Sequence, residues 1–130
     1  MQQGYIPGRI EEFVRAHPGR GVLRVQVGTG RGTFPVKGAL VRVSKVIGGT
    51  VQEFYRGFTD ESGILDGMVL PALPGGLSQN SVTAGESGTE YIVSVEQGDY
   101  VPENGQQVTI YDGVETLLAV SLVPRLRQGG

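Results

Sequence analysis

From Gly21 to Pro124 the chain keeps one rhythm: apolar and polar residues alternate in short stretches, and Gly, Pro, Asn and Asp interrupt them. GVLRVQV (21–27), GALVRVSKV (38–46), TEYIVSVE (89–96) and VETLLAVSLVP (114–124) show it most clearly. Successive side chains of a strand point to opposite faces, so this period of two, broken by turn residues every ~8–12 positions, predicts an all-β sandwich. The expected architecture is a Greek-key β-sandwich of seven or eight strands over residues 21–124, with an N-terminal arm or short helix (1–20) and a tail (125–130).

The alternation also assigns an inner face. Leu23, Val25 and Val27 belong there, with Ala39, Val41, Val43, Tyr91, Val93 and Val95; Phe54 and Phe58 are assigned inward too, and Tyr100 is expected to cap the core. Gly48-Gly49 predicts a two-residue hairpin, because glycine accepts φ > 0 at both central positions. Asp112-Gly113 predicts a second hairpin, between 106–111 and 114–124. TDESG (59–63) reads as a turn in which Asp60 bonds its own backbone, and GTGRGTFPVKG (28–38) as a loop. SQNSVTAGESG (78–88) reads as a polar strand or loop. In the arm, Ile10, Phe13 and Val14 stand at i, i+3 and i+4 with Pro18-Gly19 as a stop, which suits a short amphipathic helix; an extended arm is the rival.

Composition excludes several chemistries. The 130 residues contain no cysteine and one histidine, His17, so neither a disulfide framework, a thiolate nucleophile nor a histidine metal cluster is available. No stretch approaches the ~18 apolar residues of a membrane span. QQGYIPGRIEEF after Met1 lacks the basic start, apolar run and cleavage site of a signal peptide. Charge is segregated: residues 1–56 hold nine basic and three acidic groups, residues 57–124 ten acids and no base, and the tail two arginines. Either basic and acidic strands are neighbours in one sandwich, or the two regions match surfaces between subunits. Nucleic acid is not an expected partner, because no aromatic platform is interleaved with the basic residues.

Several segments invite a site. GTGRG (28–32) follows a strand but precedes a proline and another strand, so no helix N-terminus is there to hold phosphate. Asp60, Glu61 and Asp66 could gather around calcium, yet their spacing is not that of an EF-hand. Glu86, Glu90, Glu96, Asp99 and Glu103 could supply paired carboxylates, but acids facing solvent from one sheet are the commoner case. Tyr5, Tyr55, Tyr91, Tyr100 and Tyr111 could stack on sugars, although alternation assigns Tyr91 to the core. No catalytic residue, cofactor or metal follows from these patterns.

The order PVKGALVRV (35–43), TDESG, LPAL (70–73), YIVSVEQGDYVP (91–102) and TIYDGVETLLAVSLVP (109–124) resembles the carboxypeptidase regulatory-like domain, a transthyretin-like (prealbumin-like) β-sandwich. The resemblance covers roughly 21–124 and implies fold more than function, since such domains serve as accessory or interaction modules. Similar modules occur in surface- and spore-associated proteins of Gram-positive bacteria, which implies an extracellular or cell- or spore-surface location. The hydroxyisourate hydrolase branch of the same superfamily needs several histidines and a C-terminal Tyr-Arg-Gly-Ser; here Tyr55-Arg56-Gly57 lies mid-chain and the chain ends RLRQGG.

The apolar arm carries the clearest functional expectation. Sheet edges leave N–H and C=O groups open to another chain, and an arm that adds a strand or packs a helix on a neighbour would cover them. Tyr5, Ile6, Ile10, Phe13 and Val14, with Arg125 and Arg127 in the tail, are the expected assembly interface of a non-enzymatic subunit that self-associates into a filament or surface appendage. Whether the arm packs on its own sandwich or on a neighbour stays open. The alternative is an accessory module that binds cell-wall or other polysaccharide.

Overall fold

A computed structural model describes residues 6–31, 33–74 and 88–126. Helix α1 (Ile6–Ala16) leads into strands β1 (Gly19–Thr29), β2 (Phe34–Pro35), β3 (Leu40–Ile47), β4 (Thr50–Phe58), β5 (Ile64–Ala72), β6 (Thr89–Glu96), β7 (Tyr100–Val101), β8 (Glu103–Ile110) and β9 (Glu115–Pro124). Seven of these strands are eight to eleven residues long and two are two-residue segments, as the expected sandwich requires.

The strands form two sheets. In the first, β5 and the short β2 lie along one side of β1, β9 runs parallel to β1 on the other side, and β7 closes the end of β9. The second has the order β4-β3-β6-β8 and is antiparallel throughout. Leu23, Val25 and Val27 from β1 meet Val41, Val43, Tyr91, Val93 and Val95 from the second sheet, and Met68, Leu70, Ile110, Val120 and Leu122 complete the core. Their burial is the main favourable contribution to folding. Tyr100 packs half-buried against this core, as the sequence predicted.

The two expected hairpins have different fates. Gly48 and Gly49 take φ of 62° and 82° and join β3 to β4, with Ile47 opposite Thr50. Asp112-Gly113 does not make a hairpin, because β8 belongs to the second sheet and β9 to the first. Instead the turn is fastened to the start of β1. Arg20 N donates to Asp112 Oδ1 (2.9 Å), Gly113 N to the Arg20 carbonyl (2.9 Å) and Val22 N to the Val114 carbonyl (3.0 Å). Gly21 makes this approach possible, since a Cβ there would run into the Tyr111 carbonyl and the Ile110 side chain. Docked in this way, the turn sends β9 off parallel to β1.

Phe58 is a second correction, for it is exposed and not part of the core. The ladder between β3 and β4 slips between Val43 and Ser44, leaving Phe54 as an extra residue. A bulge of this kind flips the side-chain parity beyond it. Gln52 and Phe54 face inward before it, and Tyr55 and Gly57, opposite Val43 and Val41, face inward after it; Phe58 is turned out.

Some of the segregated charges meet within the sandwich. Arg24 of β1 meets Asp66 of β5 (3.7 Å), Arg42 of β3 meets Glu96 of β6 (3.6 Å), and Lys37 meets Glu61 (3.6 Å). These pairs are exposed or half-exposed, so each contributes about 0–1 kcal/mol at most. No helix among the described residues is long and apolar enough to cross a membrane.

Candidate assembly edge

An open sandwich ends in strand edges. Among the described residues β4, β8, β5 and β9 each have a side without a ladder partner. Unpaired edges invite further strands, and proteins blunt them with charge, proline, glycine and bulges. The β4 edge carries the Phe54 bulge and the Glu53–Arg56 pair, in which Arg56 Nε donates to Glu53 at 2.8 Å. That hydrogen bond holds the Glu53 carboxyl below its usual range. The β5 edge has Asp66, Gly67 at φ 72°, a register slip and Pro71. The β8 edge is polar, with Glu103, Asn104, Gly105 at φ 88° and a slip against β6.

β9 has none of these devices over residues 116–122. Its single charge is Glu115, it has no glycine, and its proline is the last residue, Pro124. One side pairs with β1 along the whole segment, while among the described residues the other is covered only at Val123 and Pro124, by β7. Leu117, Ala119, Ser121 and Val123 are exposed on its outer face, Leu117 at 59% and Val123 at 64%, and Val101 of β7 is exposed opposite Val123. The feature is an edge uncharged beyond Glu115, beside an apolar strip.

The interface residues expected from sequence lie elsewhere. Tyr5 and Arg127 are outside the described residues. Ile6 opens α1, a full turn before Glu11 and Glu12, and Ile10, Phe13 and Val14 are half-buried. Phe13 packs within its own chain: its ring stands edge-on to Phe54 (5.5 Å between centroids) and Tyr91 (6.5 Å), and stacks on His17 at 4.0 Å. Lys45 Nζ lies 5.8 Å from the centroids of both Phe13 and Tyr91. Arg125 is held by its own chain too, with its N and Nε donating to the carbonyls of Asp99 and Gly98, both at 3.0 Å. Helix and tail therefore meet opposite ends of the second sheet, near Lys45 and near Glu96.

The Phe13 contact makes a simple prediction. Phe13→Ala should release α1 and cost about 1–2 kcal/mol, less than for a fully buried phenylalanine. Hydrogen exchange would show it as fast exchange of the α1 amides with protection retained in β1, β3 and β6.

The other candidate residues are engaged locally. Asp60 Oδ1 accepts from Ser62 N (2.9 Å) and Ile64 N (3.0 Å), the expected turn, while Asp66 and Glu61 face Arg24 and Lys37. Tyr91 is buried, and Tyr55 and Tyr100 pack on the core, so these three offer no sugar platform. Glu86 lies outside the described residues. The β9 edge escaped the sequence because Asp112-Gly113 reads as a hairpin that would pair it with β8.

No protein-family model matches the sequence, and no curated protein matches it. Solved structures do resemble it. A streptococcal ancillary pilin aligns with a TM-score of 0.60 at 18% identity, over 84% of this chain and 30% of that one. The minor pilin GBS52 of Streptococcus agalactiae aligns at 0.53 and 14%, over 86% and 48%. The 3-chlorocatechol 1,2-dioxygenase of Rhodococcus opacus 1CP aligns at 0.54 and 12%, over 82% and 61%. This chain spans less than two thirds of each of these proteins. At such identities the likeness establishes the β-sandwich, a fold that serves pilins and at least one enzyme.

Proposed function

We propose that the chain is a non-enzymatic structural subunit that self-associates at the cell surface, with the β9 edge as its principal contact. The observation that carries this reading is the contrast between edges among the described residues: those of β4, β5 and β8 are guarded, and that of β9 has no ladder partner over 115–122 and lies beside exposed Leu117, Val123 and Val101. The likeness to pilin sandwiches supports it, as does the order of sequence motifs, which resembles that of carboxypeptidase regulatory-like sandwiches. Added strands on β9 would extend the first sheet, and a head-to-tail contact whose rotation does not close would grow a filament. The arm is the proposed second contact, through Tyr5, Ile6, Ile10 and Val14, with Arg125 and Arg127 at the other end.

Leu117→Lys tests the edge. The substituted residue is exposed, so folding should change by less than about 0.5 kcal/mol. Sedimentation velocity over a concentration series should show wild-type oligomers and at least tenfold weaker association in the variant, about 1.4 kcal/mol. Val51→Lys on the guarded β4 edge should leave association unchanged, and a variant lacking residues 1–16 separates the arm's share. A wild-type chain that stays monomeric, or a variant that associates equally well, overturns the reading.

A further inference from the structure

At the end of the second sheet distant from α1, register aligns Phe58, Leu40 and Glu96 across β4, β3 and β6 on the outer face. These residues line a hollow of about 580 Å³ with Lys37, Asp99 and Arg125. Phe58 is 64% exposed, because the Phe54 bulge turned it out of the core. Neither the core nor the β9 edge uses it.

The walls of this hollow are preformed. Asp99 N donates to Gln97 Oε1 (2.6 Å) and Tyr100 N to the Gln97 carbonyl (2.9 Å), which tightens the turn after β6. Arg125 fastens that turn through Gly98 and Asp99. Behind Gly38 and Phe58 on the opposite wall, Thr59 is buried; its Oγ1 donates to the Val36 carbonyl (2.7 Å) and accepts from Ala39 N (2.9 Å), while Gly38 N donates to the Thr59 carbonyl (3.0 Å). Arg42 lies 3.6 Å from the Glu96 carboxylate. Walls whose backbone is already held lose little freedom when the site binds.

We propose that this hollow binds a neutral oligosaccharide, with one sugar ring lying on Phe58. An aromatic face is apolar and electron-rich, and it suits the C–H face of a pyranose. Sugar hydroxyls both donate and accept, and here Glu96 and Asp99 can accept from them while Lys37 and Arg125 donate. Two positive and two negative groups at the rim disfavour a phosphate or an acidic polymer and leave a neutral ligand as the match. The volume lies within the ~300–1,000 Å³ usual for ligand sites. This inference stands apart from the β9 edge, since a monomeric chain would still contain the hollow.

The test is a nuclear magnetic resonance titration of the full chain with cellohexaose, chitohexaose and mannohexaose, each to about 10 mM, a range that detects millimolar binding. One of the three should shift the Gly38 and Gly98 amides and the Phe58 ring. Phe58→Ala should weaken that binding at least tenfold while the remaining amide spectrum stays in place, and Lys37→Ala, at an exposed position, should weaken it less. No shift with any of the three sugars, shifts confined to another surface, or equal affinity in Phe58→Ala overturns the proposal.

Discussion

Replacing Gly63 with alanine is expected to destabilise the sandwich by about 3 kcal/mol or more, a large effect for one methyl group. Gly63 sits at φ 77°, a left-handed conformation that costs an L-residue roughly 1–2 kcal/mol. Its surroundings add the rest. A Cβ would overlap the Val27 carbonyl oxygen and press on Val36 N at 3.1 Å. Both are backbone atoms and cannot rotate aside as a long side chain can. The same residue accepts a hydrogen bond from Val27 N (2.7 Å) and donates one to the Asp60 carbonyl (2.9 Å), so movement away from the clash would loosen the turn and the end of β1 together. Gly38 provides the control: its φ is 73°, but a Cβ would meet nothing within 4 Å. Gly38→Ala should therefore show only the conformational cost, about 1–2 kcal/mol. Urea unfolding with unchanged slope would measure both. Equal midpoints for the two variants would refute the steric argument.

Tyr91 should be the most sensitive side chain at the aromatic end of the core. It is buried, its ring stands edge-on to Phe54 at 5.4 Å, and its hydroxyl donates to the Pro71 carbonyl at 2.6 Å, linking β6 of one sheet to β5 of the other. Tyr91→Ala should cost about 3–5 kcal/mol through lost burial and the cavity left behind. Tyr91→Phe removes only the hydroxyl, leaves the carbonyl without that partner and should cost about 1–2 kcal/mol. Burial pushes the phenol well above its ordinary range, with Arg20 opposing the shift. The folded chain thus holds this proton more tightly than the unfolded chain. Its contribution is fully present below pH ~10, the unfolded value, and is lost as pH rises through the folded value. Wild-type stability should fall above pH ~10 by up to ~1.4 kcal/mol per unit from this group, and Tyr91→Phe should lack that component. Chemical unfolding of both chains between about pH 9 and 11 reads the difference; parallel pH profiles would overturn the assignment.

The β9 edge and the Phe58 hollow show where reading the sequence reaches its limit. Val41, Val43, Val93 and Val95 were legible as core because each lies in an uninterrupted stretch, where a period of two maps directly onto burial. Phe58 was misassigned because a bulge four residues earlier resets that period, and the bulge is a property of two strands in register. The hollow that surrounds it was illegible for a similar reason, since Lys37, Phe58, Glu96 and Arg125 are brought together only by the folded sheet.

By itself the sequence determined that two sheets would form, which faces of most strands would be buried, where Gly48-Gly49 would turn and that Asp60 would close its own loop. These outcomes rest on side-chain alternation and backbone freedom, which act over a few residues. Tertiary structure alone decided that Asp112-Gly113 docks on β1, that β9 runs parallel to β1, and that Phe13 folds back onto Phe54 and Tyr91. Those choices depend on which surfaces meet across the sandwich, and residues far apart in the chain settle them through packing and shared hydrogen bonds.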